Sequence, residues 1–177
     1  GALVIDASVT NTGYRYTSIS DNYLDLLDAD DLYQAKAAVQ VSNTVSGGVL
    51  INAAVTSEDD TNTDENGNGI ADTEESTASI AQYGTSPALL IGSGTQAITL
   101  GAIAYNDVAT DDYRGRTYGL DIRGSVAAHG VYEGVSATAV QIAGLGYDVN
   151  VTNGIGLSGS VSASANEATA TGLALKS

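Results

Sequence analysis

The sequence predicts an all-β chain: a β-solenoid, or parallel β-helix, of roughly five to six coils with long loop insertions. A β-sandwich is the alternative. Three observations carry the prediction. A motif of a small residue, an apolar residue, any residue and a second apolar residue recurs six times. Turns of Gly, Asn and Ser punctuate short alternating apolar runs, the pattern of β-strands rather than helices. The core material is small or β-branched: hydrophobic residues make up 43% of the 177, yet Phe, Trp, Met and Cys are all absent, so closely stacked strands suit it better than thick layers.

The motif copies are Ala2-Leu3-Val4-Ile5, Ala38-Val39-Gln40-Val41, Ala88-Leu89-Leu90-Ile91, Gly119-Leu120-Asp121-Ile122, Ala139-Val140-Gln141-Ile142 and Gly172-Leu173-Ala174-Leu175. Their starts lie 36, 50, 31, 20 and 33 residues apart. An uneven spacing with one swollen interval fits coils that stack about 4.8 Å apart and put their length differences into loops. Second strands follow several copies, as Val49–Val55, Gly124-Ser125-Val126, Val149-Asn150-Val151 and Ile155–Val161. Ser46-Gly47-Gly48, Gly144-Leu145-Gly146 and Asn153-Gly154 supply turns.

Residues 1–177 read as a single solenoid segment with two insertions. The first, 17–36, is an acidic loop or short helix: Tyr23, Leu24, Leu26, Leu27, Leu32 and Tyr33 are spaced among five aspartates, with Asp21 placed to cap a helix. The second is 58–78. A motif begins at residue 2 and another stops at Leu175, with no polar cap at either end. Repeat arrays need such caps, so the segment reads as a slice of a longer array or as one whose ends are covered by partners.

Charge excludes whole classes. Six Lys plus Arg face 21 Asp plus Glu, a formal net charge of −15, so nothing here matches the clustered basic surface that nucleic acid requires. Anionic membranes are disfavoured for the same reason, and no apolar run approaches the roughly 20 residues of a spanning helix. The absence of Cys removes disulfides, thiolate metal sites and Cys nucleophiles.

The most specific motif lies in the second insertion. Asp64-Glu65-Asn66-Gly67-Asn68-Gly69-Ile70-Ala71-Asp72-Thr73-Glu74-Glu75 fits D-x-[DN]-x-[DN]-G-x5-E. Calcium takes six to eight oxygens at about 2.3–2.6 Å, and alternate positions turn those oxygens inward. The expected ligands are Asp64, Asn66, Asn68, Asp72 and Glu75 through side chains and Ile70 through its carbonyl, with Gly69 permitting the bend. Asp60 and Asn62 extend the alternation upstream and would serve a second ion sharing Asp64. The loop resembles the freestanding calcium loops of thrombospondin type 3 and dockerin-like repeats. An affinity on the order of 10⁻⁴–10⁻³ M would suit an extracellular module. A solvated acidic loop is the alternative.

Other signals are weaker. Gly154-Ile155-Gly156-Leu157-Ser158-Gly159 satisfies G-x-G-x-x-G, but the residues after it read as strand where a dinucleotide site needs a helix. His129, the single histidine, reads as a surface turn residue. A polysaccharide-acting β-helix enzyme would need converging carboxylates, for which Asp107, Asp111, Asp112 and Asp121 are candidates beside Arg114, Arg116 and Arg123. Solubilising charge with local ion pairs is the favoured reading of these residues. Asp121, between Leu120 and Ile122, should point outward. The ten tyrosines could stack on sugars in a carbohydrate-binding module, but their scatter favours packing beneath loops.

Several stretches together resemble the passenger region of large alphaproteobacterial autotransporters of the sphingomonad type. They are Tyr23–Leu32, Val45–Leu50, Asp64–Glu75, Gly130–Ile142 and Gly156–Val161. The resemblance implies export across the outer membrane, display at the cell surface and a right-handed parallel β-helix. It leads to an expected function: a non-enzymatic, calcium-stabilised structural or adhesive module. Its partners would be a second copy docked end to end, in a fibre or surface layer, or a surface glycan or protein.

Overall fold

The structure, a computed structural model, describes residues 1–12, 36–54, 61, 63–64, 69–104 and 117–177. Fourteen strands and no helix occur among them, and every strand pairing is parallel. The chain visits the same sheets in the same order on successive passes. The first pass contributes β1 (Leu3–Ile5), β2 (Ser8–Thr12) and β3 (Val39–Val41). The second contributes β4 (Val49–Ile51), β5 (Ser79–Tyr83), β6 (Leu89–Ile91) and β7 (Ile98–Leu100). The third contributes β8 (Leu120–Ile122), β9 (Ser125–Glu133), β10 (Ala137–Ile142) and β11 (Val149–Val151), and the fourth β12 (Ile155–Leu157), β13 (Ser160–Asn166) and β14 (Ala170–Leu175).

Three four-stranded sheets result, in the orders β1-β4-β8-β12, β2-β5-β9-β13 and β3-β6-β10-β14, with β7-β11 as a fourth, two-stranded sheet. Val45 extends the fourth sheet by a single parallel bridge to Leu100. Register aligns like with like. Ile5, Ile51, Ile122 and Leu157 form one row of the first sheet, and Ser8, Ser79, Ser125 and Ser160 form one of the second. Parallel strands joined by long connections need such a row structure, because a one-residue slip would turn each apolar set outward.

The core lies between the sheets. Val49, Ile51, Leu120 and Ile122 meet Ile80 and Val126 from the second sheet, Leu89, Ile91 and Val140 from the third, and Ile98 and Leu100 from the fourth. Each is at most 2% exposed, so each contributes on the order of 1.5–3 kcal/mol of burial. Where the chain turns from the first sheet to the second, backbone segments touch. A Cβ on Gly124 would stand 2.6 Å from the Asn52 carbonyl oxygen, and closer still to that of Ala78, so no side chain fits there.

Two expectations are corrected. The described strands make four passes, not five to six. The six motif copies mark strands rather than coils: those at Ala38, Ala88, Ala139 and Gly172 belong to the third sheet, and those at Ala2 and Gly119 to the first. His129 is not in a turn but within β9, where alternation places it in one row with Tyr83 and Ser164. The spacing is uneven because insertions fall between strands: Leu120 and its partner Ile155 are 35 residues apart, whereas Val49 and its partner Leu120 are 71 apart. Apart from Lys36, the 17–36 insertion lies outside the described residues.

Candidate metal centre and its stem

The calcium-type loop lies between β4 and β5. Its sharp bend is where the glycine was expected: Gly69 has φ +88°, a region that L side chains rarely enter. The Gly69 N–H donates to Asp64 Oδ2 at 2.9 Å, folding the first carboxylate of the motif over its sixth position. Asp72 N–H donates to the Thr63 carbonyl at 2.8 Å, closing the loop across its width. Glu74 and Glu75 N–H both donate to the Ala71 carbonyl, at 2.7 and 3.1 Å, so the loop leaves through a tight turn.

The Glu75 carboxylate points to the base of the loop. Asn52 Nδ2 donates to Glu75 Oε1 at 3.2 Å and to Asp6 Oδ1 at 2.8 Å. Ser76 N–H donates to the same Asp6 carboxylate, at 3.1 and 3.3 Å from its two oxygens. Asn52 is fully buried. Its own N–H donates to the Ile5 carbonyl, and its carbonyl accepts from Ala78 N–H, both at 2.9 Å. One asparagine therefore joins the first pass, the second pass and the exit of the loop. Hydrogen bonds to charged groups contribute about 1.5–3 kcal/mol each, so this stem is a substantial local anchor.

Asp6, Asn52 and Ser76 were not singled out from the sequence. A signal was present: Asp6 and Asn52 each directly follow an apolar-x-apolar strand, Leu3-Val4-Ile5 and Val49-Leu50-Ile51. Arg123 and Ser158 follow Leu120-Asp121-Ile122 and Ile155-Gly156-Leu157 in the same way. The parallel ladder continues through these corner residues, since Arg123 N–H reaches the Ile51 carbonyl and Ser158 N–H the Ile122 carbonyl.

Of the expected ligands, Asp64, Ile70, Asp72 and Glu75 are described; Asn66, Asn68, Asp60 and Asn62 lie outside the described residues. Among the described residues no three His, Cys, Asp or Glu side chains gather as a metal group. What the loop does hold is the contact between the first and sixth positions of the motif, Asp64 and Gly69. Its twelfth-position carboxylate lies half-buried against the stem, within reach of Asn52.

The remaining candidates resolve into local pairs. Asp121 belongs to the row Val4, Leu50, Asp121 and Gly156, which alternates with the core rows, so it points outward as expected. It is nonetheless buried, and accepts from Arg123 Nε at 3.0 Å, the two side chains being 8% and 10% exposed. Asp107, Asp111, Asp112, Arg114 and Arg116 lie outside the described residues. His129 Nδ1 is 2.9 Å from Ser164 Oγ, and its ring stacks on Tyr83 with centroids 5.0 Å apart. Parallel register alone produces that row. The G-x-G-x-x-G stretch spans a turn, β12 and a corner, and leads into β13 rather than a helix. Comparison with protein-family models, with curated proteins and with solved structures gives no match to this chain.

Proposed function

We propose that the chain is a non-enzymatic structural or adhesive module of the cell exterior. In this reading it is a calcium-stabilised segment of an autotransporter passenger, folded as a right-handed parallel β-helix. The observation that carries the reading is the in-register stacking of four passes, in which the Ile5, Ile51, Ile122 and Leu157 row and the four-serine row run from end to end. Stacked passes with a continuous core make a stiff rod that needs no chemistry to do its work. Right-handedness follows from the strong preference of strand–crossover–parallel-strand connections.

Calcium enters as a brace. The Asp64–Gly69 fold prepares one end of the loop, and at the other end Glu75 accepts from Asn52 while Ser76 donates to Asp6. An ion held by Asp64, Asn66, Asn68, Ile70, Asp72 and Glu75 would couple loop order to the first two passes. A net charge of −15 and the absence of Cys suit a calcium-rich, oxidising exterior.

The test is a thermal melt in calcium and in chelator on the wild type, Glu75→Ala and Glu75→Gln. Calcium at about a hundred times its dissociation constant adds about 2.7 kcal/mol. For a chain of this size that raises the wild-type melting temperature by about 5–10 °C. Both variants lose the calcium response. In chelator only Glu75→Ala melts earlier, because the glutamine keeps an oxygen for Asn52. An unchanged wild-type melt at calcium well above about 10⁻³ M overturns the calcium reading.

A further inference from the structure

The exit of the calcium-type loop is held from the pass beneath it at two consecutive points. Asp6 directly follows β1. Its Oδ1 accepts from Asn52 Nδ2 at 2.8 Å, and the same amide nitrogen donates to Glu75 Oε1 at 3.2 Å. The Asp6 carboxylate also accepts from the N–H of Ser76, the residue after Glu75, at 3.1 and 3.3 Å. Glu75 is thus held through its side chain by Asn52, and through the adjoining backbone by Asp6. Asp6 lies outside the Asp64–Glu75 motif, 69 residues from its last member.

We propose that Asp6 is a positioning residue for calcium, through which the first pass sets the affinity of the loop. The inference rests on the calcium reading above and adds the regulation of that site. A calcium loop closes on its twelfth position, here Glu75. Where that residue is free, ordering it on binding costs chain entropy and weakens the affinity. Here folding of the passes has already placed it. The Asn52 side chain that holds it is fully buried, and the Asn52 N–H is bonded to the Ile5 carbonyl at 2.9 Å, one residue from Asp6. Partners that fix a metal ligand in this way account for about 10–100-fold in metal affinity. Charge acts in the same direction. Asp6 and Glu75 share one donor, so two carboxylates lie within two hydrogen bonds of each other, and a nearby cation relieves their repulsion.

Coupling between two equilibria is reciprocal. If the hold of Asp6 tightens calcium, calcium tightens that hold by the same factor. The N–H groups of Ser76 and Asn52 report it directly, since they donate to Asp6 and to the Ile5 carbonyl. Their exchange with solvent deuterium should slow when calcium is added.

The test is calorimetric titration of calcium chloride into the intact chain, with amide exchange followed in parallel. Asp6→Ala should weaken calcium binding by about 10–100-fold and abolish the calcium-dependent slowing at Ser76. Asn52→Ala cuts the same link from the other side and should give a loss of the same order, so the result does not hang on one variant folding. Asp6→Asn keeps an oxygen in the place that takes the 2.8 and 3.1 Å bonds and should recover most of the affinity. Val9→Ala weakens the first pass at its core row, away from the stem, and should melt earlier with the wild-type calcium affinity. Wild-type affinity in Asp6→Ala, with only an earlier melt in chelator, shows a purely structural role and overturns the proposal. Asp6→Asn as weak as Asp6→Ala assigns the effect to charge and overturns positioning. Both outcomes leave the calcium reading standing, whereas a wild type that gives no calcium heat and no change in exchange defeats that reading and this inference with it.

Discussion

The side-chain amide of Asn52 bridges two carboxylates, 2.8 Å from Asp6 Oδ1 and 3.2 Å from Glu75 Oε1, and so pins a long insertion to the pass beneath it. Asp6 and Glu75 are 69 residues apart in the chain. Without the bridge, two like charges would face each other at a half-buried corner without the amide between them.

Asn52→Ala should therefore cost about 1–3 kcal/mol, because it removes two hydrogen bonds to charged acceptors from a fully buried side chain. Urea unfolding would read this as a lower midpoint at an unchanged slope. Proteolysis should cut first within residues 53–77, since the stem holds that insertion's exit. A midpoint equal to the wild type would show that the amide does not anchor the stem.

Asp121 and Arg123 make a different kind of pair. Arg123→Ala removes the 3.0 Å guanidinium contact from a buried carboxylate and should cost about 3 kcal/mol. Asp121→Val/Arg123→Ser replaces the pair by a residue that extends the apolar row begun by Val4 and Leu50. Replacing a buried pair by packed apolar groups is often neutral or better, so most of the loss should return. Thermal unfolding of the single and double variants checks this, and a double variant no more stable than Arg123→Ala would contradict it.

Gln82 is fully buried in an inward row with Asn11 and Ala128. Its Nε2 donates to the Tyr83 carbonyl at 3.2 Å, while its Oε1 has no hydrogen-bond partner among the described residues. Gln82→Met keeps the volume and removes the orphan acceptor, so stability should rise by about 1 kcal/mol. A fall in the denaturation midpoint would show that Oε1 is satisfied in solution, as by a buried water.

Strands were more legible than their arrangement. Alternation located β3 and β6 to within one residue and the last four residues of β10 and β14, because strand formation is a local property of apolar periodicity. The pairing Gln40–Leu90–Gln141 was hidden although the two motifs AVQV and AVQI are near copies. A third, dissimilar strand lies between them, and nothing local says which copies share a sheet. His129 was misplaced for a related reason: its flanking Ala and Gly suggest a turn, whereas pairing with β5 and β13 holds the segment extended.

By itself the sequence determined the all-β class, the turns at Ser46–Gly47 and Asn153, the acidic composition and the spacing of the calcium-type loop, since each depends on composition or on neighbours within about a dozen residues. The tertiary structure alone decided that there are four described passes, that Asp121 is buried with Arg123, and that Asp6, Asn52, Glu75 and Ser76 meet. The contacts of Asp6 with Asn52 and Ser76 join residues 46 and 70 apart, on different passes of the chain. Parallel stacking creates them by placing residue i of one pass above its equivalent in the next, at an offset that insertions make unreadable from the sequence.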